Sequence, residues 1–442
     1  MRARSTTSLV RGLQVSAALA LTALFLTPLL LCGCGEDEGP AADGTAPAKI
    51  ADLAAGAPTY SSVALAWTAP GDDGTAGQAS QYDIRYSTSS ITKITEANWD
   101  AAARCTGEPM PKPAGSAEGF TVTDLFEGTE FQIAIKTGDE VPNWSRISNV
   151  VVVTTPHVMN YEFVTKWGSQ GTGEDQFEMA VAVACDAAGN VYVGDASNMR
   201  VLKFSPSGAF LTKWGSEGSA EGQFTFIEGI ATDAASNVYV VDSKGYRVEK
   251  FNSDGDFLTE WGEHGISPGK FGYPCGIAIG PSSNVYVADW DGRVQVFTSN
   301  GAFLKQWGSE GWGNGQFEQP YGIAVDSDEN VYVDECGNSR IQKFNSQGAF
   351  LAKWGTLGSA EGQMKNPHEL AVDRAGNVYV ADFHNHRIQK FDSDGNFVIA
   401  IGGYGAGDGE FNLPTGVGVD RSGNVYVADT GNRRVQKFSP AP

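Results

Sequence analysis

The sequence predicts an all-β chain, a small two-sheet sandwich followed by a closed ring of six four-stranded sheets. Three observations carry this. Asn-Val-Tyr-Val begins at Asn190, Asn237, Asn284, Asn330, Asn377 and Asn424, in steps of 46 or 47 residues. Each repeat holds four short strand-like runs separated by turn residues, as in PYGIAVD, NVYV, RIQKF and AFLAKWG. Ahead of the repeats, Pro47 to Thr155 carries alternating apolar runs such as VALAWTAP and QYDIRYS.

The N-terminus reads differently. Arg2, Arg4 and Arg11 precede an apolar run from Val15 to Leu31, and residues 1–34 read as a targeting segment. The run ends Leu31-Cys32-Gly33-Cys34, which resembles a bacterial lipobox. That resemblance implies cleavage before Cys34, lipidation of its thiol and a membrane anchor in the cell envelope. Gly35 rather than Asp follows, which implies the outer membrane, facing the periplasm or the surface. An ordinary signal peptide and an uncleaved anchor are the alternatives. Residues 35–46 are acidic with Gly and Pro and read as a flexible tether. The chain of 442 residues is 41% hydrophobic, enough for more than one core, and its net charge of −21 excludes a nucleic-acid partner.

Residues 47–156 supply the strands of the predicted sandwich. Trp67, Tyr82, Tyr86, Leu125, Thr129, Phe131, Ser148, Asn149 and Thr154 give this region a resemblance to a fibronectin type III domain. Phe131 stands where that family carries a corner tyrosine, keeping the packing without the hydroxyl. The resemblance implies a spacer.

From Tyr161 to Pro442 the repeats follow one another. A sheet of four short strands cannot bury both faces alone, and radial stacking buries them. The region opens on YEFVTKWG, which matches the fourth run of the other units, and closes on RVQKFSP, which matches the third. The opening strand is therefore expected to complete the last sheet, giving six. Pro-x-Gly-Ile-Ala-Val-Asp, Asn-Val-Tyr-Val-Ala-Asp and Asn-x-Arg-Ile-Gln-Lys-Phe resemble NHL repeats, which implies a six-bladed β-propeller. The third unit departs from the pattern, with Gly280 in place of Asp and a loop one residue shorter, and Ile401 replaces the recurrent tryptophan in the last fourth run.

What recurs in every unit is read as scaffold, because a catalytic centre needs one constellation. The pairs Asp195/Arg200, Asp242/Arg247, Asp289/Arg293, Glu335/Arg340, Asp382/Arg387 and Asp429/Arg434 are expected to pin the turn between the second and third runs of each unit. Trp167, Trp214, Trp261, Trp307 and Trp354 are expected to pack between sheets.

Function is expected where the units differ. The second position of the first strand gives Val181, Glu228, Cys275, Tyr321, His368 and Thr415, followed in one unit by Glu369. The loops after the second strands add Met199, Tyr246, Trp290, Cys336, His384 and His386. These converge on one rim, the candidate site for a protein, peptide or glycan. His368, His384 and His386 raise zinc as a candidate. The NHL family includes a peptide-amidating lyase that holds zinc with histidines from different blades, whereas the rim histidines here share one unit. From Tyr161 onward 21 Lys and Arg stand against 35 Asp and Glu, a net charge of −14, which keeps calcium in view. DSDGN at Asp392 reads as a strand-connecting turn instead. No resident cofactor is expected. Binding is favoured over catalysis; the alternatives are a metal-dependent lyase or hydrolase and a purely structural envelope protein.

Overall fold

The computed structural model describes residues 44–88, 93–141, 143–158 and 160–441, and the contacts from Thr45 to Pro442 form one unit. The targeting segment, Cys34 and the tether up to residue 43 lie outside the described residues. Among the described residues no helix is long and apolar enough to cross a membrane.

Two antiparallel sheets come first. One orders Ala54–Ala55, Val63–Thr68 and Ala117–Val122; the other orders Ala103–Arg104, Gln81–Thr88, Glu130–Gly138 and Val151–Thr154. Val63, Leu65 and Trp67 alternate with exposed residues, so one face of their strand turns inward. They meet Tyr82, Ile84, Phe131, Ile133 and Ile135 in a single core. Trp67 stands edge-on to Tyr82 at 5.1 Å. Phe131 is fully buried, and the carbonyl of Phe126, five residues earlier, takes its hydrogen bond from Thr155 Oγ1 at 2.5 Å.

Among the described residues six further four-stranded sheets follow, the first five of them simple meanders. The first orders Ala180–Cys185, Val191–Asp195, Arg200–Phe204 and Phe210–Trp214. Second strands are buried at every position, whereas most fourth strands alternate toward solvent and Phe397–Ile401 is half-buried along most of its length, as expected of central and edge strands. Each first strand packs beside the first strand of the next sheet, and Gly416–Val419 packs beside Ala180–Cys185, so the series closes on itself. The last sheet orders Gly416–Val419, Val425–Asp429, Arg434–Pro440 and Tyr161–Trp167. Its outer strand comes from the opposite end of the ring, pairing Tyr161 with Pro440 and Trp167 with Val435. The first strands sit too close together for most side chains. A Cβ on Gly276 would lie 2.4 Å from Tyr321 O, and one on Gly416 would lie 2.5 Å from Val181 O.

The recurrent residues hold this ring. Trp167, Trp214, Trp261, Trp307 and Trp354 each face a phenylalanine of the following sheet, with ring centres 5.6 to 6.1 Å apart. The acid–arginine pairs lie between 2.5 and 3.5 Å, all with the acid fully buried.

The role expected of these pairs needs a correction. They do not serve the turn between second and third strands alone. Each guanidinium reaches past its acid to backbone carbonyls of the loop that leads into the first strand of its own sheet. Arg200 donates to Thr172, Gly173 and Gln176, while Asp195 accepts from the N–H groups of Glu178 and Met179. Arg293 donates to Ile266 and Lys270, and Arg340 to Trp312, Gly313 and Gln316. Arg387 donates to Ala360 and Gln363, and Arg434 to Ala406, Gly407 and Glu410. The reason is reach: the long side chain offers several donors at once, and the acid occupies only part of them. The acid–arginine bond across the turn is joined there by an asparagine such as Asn198, which donates to Asp195 Oδ2 at 2.7 Å.

Arg247 departs from its column. Its contact with Asp242 is the longest of the six, at 3.5 Å, and its Nε has no hydrogen-bond partner among the described residues. Two further carboxylates draw it away, Glu249 at 2.9 Å and Glu260 at 3.2 Å. It still donates to the loop carbonyls of Ser219 and Gln223. Glu249 stands where the third, fourth, fifth and sixth sheets carry Gln295, Gln342, Gln389 and Gln436.

At the far ends of the first strands an Asp-Asn-Tyr arrangement recurs. Asp186 accepts from its own turn, from Asn190 Nδ2 at 2.8 Å and from Tyr192 OH at 3.0 Å. Gly280 removes that acid from the third sheet. Glu329 of the next sheet replaces it, accepting from Tyr286 OH at 2.9 Å and from Ser282 N at 2.6 Å. A Cβ on Gly280 would lie 2.9 Å from Glu329 Oε2, so the glycine makes room for this carboxylate.

The sandwich meets the ring between the fifth and sixth sheets. Lys203, Lys250, Lys343 and Lys437 each reach a backbone carbonyl of the following sheet at 2.8 to 3.2 Å. Lys390 instead pairs with Glu127 of the sandwich. Glu127 also accepts from Val158 N and, at 3.1 Å, from Asn377 Nδ2. Burial pulls the Lys390 ammonium below its usual range and pushes the Glu127 carboxyl above its own, with their mutual attraction opposing both shifts. Beside them Tyr161 OH and Tyr379 OH share a hydrogen bond of 2.7 Å.

Candidate binding site

A cavity of about 580 Å³ opens at the end of the ring where the first strands begin. Every sheet lines it: Met179 and Val181 from the first, Glu228 from the second, Tyr273 and Trp290 from the third, Tyr321 from the fourth, His368 and Phe383 from the fifth, and Leu413, Thr415, Thr430 and Gly431 from the sixth. Two backbone positions recur among them. One is the start of the first strand, just after the loop held by the acid–arginine pair. The other is the residue after the buried acid, where the second strand ends.

Aromatic rings form a continuous arc on one side. Tyr273 and Trp290 are edge-on at 6.2 Å, as are Trp290 and Tyr321. His368 lies 4.5 Å from Tyr321 and stacks on Phe383 at 4.3 Å and 13°. Burial, with His384 nearby, lowers the His368 pKa to about 4, so its imidazole is neutral at physiological pH. Its Nε2 lies 3.2 Å from Asn366 Nδ2, and its Nδ1 is buried without a hydrogen-bond partner among the described residues.

Glu228 is the carboxylate of this cavity, and among the described residues no Lys or Arg lines it. Tyr321 OH donates to its Oε1 across the ring, and Ser243 Oγ lies 3.3 Å from its Oε2. Burial pushes the carboxyl above its usual range against those bonds, with Lys244 and Tyr273 also drawing it down. The two threonine hydroxyls face inward to the fold. Thr415 Oγ1 donates to Val181 O at 2.7 Å, Thr430 Oγ1 donates to Ala180 O at 2.6 Å, and the two threonines lie 2.6 Å apart.

The structure thus brings Val181, Glu228, Trp290, Tyr321, His368 and Thr415 together. It does not bring in the remaining expected residues. Cys275 and Cys336 lie in an apolar cluster with Tyr321, both as free thiols raised well above their usual range by burial. Glu369 is buried, with Oε2 lacking a hydrogen-bond partner among the described residues, and does not line the cavity. Burial raises its carboxyl well above the usual range. Tyr246 packs on His264 at 4.5 Å. His384 is exposed on the short helical turn Phe383–Asn385. His386 ends that turn at φ +55°, and its Nδ1 accepts from Leu413 N at 3.0 Å. No group of three or more His, Cys, Asp or Glu among the described residues is arranged to hold a metal ion, and His368, His384 and His386 form no such group.

Tyr273, Phe383, Met179, Leu413, Thr430 and Gly431 belong to the cavity although the strand-start pattern does not select them. The residue after each buried acid was the missing signal for part of this set: Ala196, Ser243, Trp290, Cys336, Phe383 and Thr430.

Comparisons with known proteins address the fold. The NHL repeat family matches residues 364–391 and 411–438. A calcium-activated chloride channel regulator 1 from Sus scrofa is 36% identical over 121 residues, 26% of this chain and 13% of that protein. Its counterpart from Equus caballus is 40% identical over 121 residues, with the same shares. The chain therefore spans about 13% of the length of these curated relatives. A solved structure of a protein of unknown function from Bacteroides thetaiotaomicron aligns with a TM-score of 0.58 at 15% identity, covering 89% of this chain and 100% of that one. The matched NHL repeats lie in the fifth and sixth sheets, and the repeated four-stranded sheets give the C-terminal part of the chain the fold of a β-propeller.

Proposed function

We propose that the chain is a recognition protein of a bacterial cell envelope. Lipid on Cys34 holds it to a membrane, a fibronectin type III-like sandwich spaces it from that membrane, and a six-bladed NHL propeller presents the ring-mouth cavity to a protein, peptide or glycan. One observation carries the binding reading. Each sheet places a different side chain in one shared cavity, while the recurrent acids, arginines and tryptophans are engaged in the scaffold. The envelope reading rests on the lipobox-like ending of the apolar run.

The test is capture from an envelope extract by the wild-type chain and by the Trp290→Ala and Phe383→Ala variants. A partner held by the wild type and lost by both variants supports the reading. Identical captures by all three refute it. Labelling with a radioactive fatty acid that survives Cys34→Ser refutes the anchor.

A further inference from the structure

The geometry points to an alkylammonium group as the chemistry that this cavity selects, held among its aromatic rings and against the Glu228 carboxylate. This rests on the binding reading above and narrows the ligand class.

Three observations carry it. The rings of Tyr273, Trp290, Tyr321 and Phe383 line one connected wall, and ring faces attract cations strongly when water is excluded. The single carboxylate of that lining is fixed in place by Tyr321 OH and Ser243 Oγ. Among the described residues no cationic side chain enters the lining to pair with it: Lys244 lies over the Phe226 ring, 4.3 Å from its centre. A docked ammonium supplies the counter-charge that burial denies Glu228.

The same lining disfavours the other ligand classes. An anion would meet a carboxylate and no positive partner. A glycan needs many free donors and acceptors to replace the water on its hydroxyls. Here the hydroxyls of Thr415, Thr430 and Tyr321 are already engaged within the protein. The quaternary ammonium of a choline-type head and the ammonium of a lysine side chain share the chemistry that remains.

The experiment titrates the full chain, in detergent, with choline, with a lysine-containing peptide and with 3,3-dimethylbutanol, the neutral isostere of choline. Tryptophan fluorescence and calorimetry report binding. At least one of the two cations should bind saturably, about tenfold or more tighter than the neutral alcohol. Preference for choline or for the peptide identifies the source of the ammonium. Glu228→Gln should weaken cation binding about tenfold and leave the alcohol unchanged, while Trp290→Phe should retain most of the affinity that Trp290→Ala loses. Thermal melts of the variants confirm that each is folded. Equal affinity for choline and its isostere, or full affinity in a folded Glu228→Gln variant, overturns the proposal. Failure of both cations to bind also overturns it. If Trp290-dependent capture of a partner persists in that case, the recognition reading still stands; if the capture is lost as well, both fall.

Discussion

Removing the carboxylate of Glu127 is expected to cost the protein about 3–5 kcal/mol, the usual result of leaving one member of a buried ion pair without its partner. Its side chain is 8% exposed and that of Lys390 is fully buried. Glu127→Ala strands the Lys390 ammonium among the rings of Tyr161 and Tyr379, 5.5 and 5.4 Å from their centres. It also removes the acceptor for Val158 N, whereas Asn377 Nδ2 keeps Asp373 at 2.9 Å. Lys390→Met should cost less, about 3 kcal/mol, because Glu127 retains its bonds from Val158 and Asn377. The double variant Glu127→Ala, Lys390→Met leaves neither charge of the pair behind and should lose well below the sum of the two single losses. Urea unfolding of the four proteins, followed by tryptophan fluorescence and by hydrogen exchange at the fifth and sixth sheets, measures the cycle. A loss below about 1 kcal/mol for Glu127→Ala, or a double variant as unstable as the two single losses combined, refutes the reasoning.

Three further outcomes are expected. The unfolded His368 imidazole takes its proton near pH 6.5 and the folded one only near 4, so below pH 6.5 the unfolded chain binds more protons. Stability should therefore fall by at most about 3 kcal/mol between those values, and His368→Phe should remove that part of the slope in pH-dependent urea melts. Glu329→Ala should destabilise by about 1–3 kcal/mol by leaving Tyr286 OH and Ser282 N without an acceptor. Adding Gly280→Asp should restore stability in that background and reduce it in the wild type, as thermal melts can show. Cys275 and Cys336 should resist iodoacetamide in the native protein and react after unfolding, because burial keeps both thiols protonated. Native alkylation at the rate of a free thiol, read by mass spectrometry, contradicts that.

The repeat was legible because the first five sheets are local units, each with its strands, turns and acid–arginine pair inside fewer than about fifty residues. The pairs themselves were legible as scaffold, but spacing shows only that Arg293, Arg340 and Arg387 sit near their acids. That their guanidiniums clamp the loop before the first strand needs the folded sheet, because that loop lies more than twenty residues upstream. The closing strand was legible for the same reason as the repeat: Tyr161–Trp167 carries the sequence of a fourth strand with no sheet before it. The cavity was half legible. Glu228, Tyr321 and His368 stand at a position that the strand pattern fixes. Phe383 stands at the first residue of a helical turn that points its later histidines elsewhere, and that geometry has no signature in the spacing. Gly280 was visible as a departure, but Glu329, its replacement, lies in the next sheet. Glu127 and Lys390 are separated by 263 residues. Nothing distinguishes Lys390 from the other lysines of its column until the fold brings Glu127 to it where they reach a carbonyl.

The pairing of Tyr161–Trp167 with Arg434–Pro440 also sets an order of events. During synthesis the outer strand of the last sheet emerges before any of its partners and must wait for nearly the whole ring. Closing so long a loop costs only about 3–4 kcal/mol more than closing a hairpin, since the entropy grows with the logarithm of length. The delay is therefore kinetic, with an unpaired strand edge exposed until the last residues arrive. Beside that strand lies the fifth sheet, with Ile401 where the other sheets place tryptophan, and Glu127, Lys390, Tyr161 and Tyr379 meet between the two. The sandwich, made first, can hold the waiting strand beside the place it will occupy, acting as a clasp for a ring that shuts last.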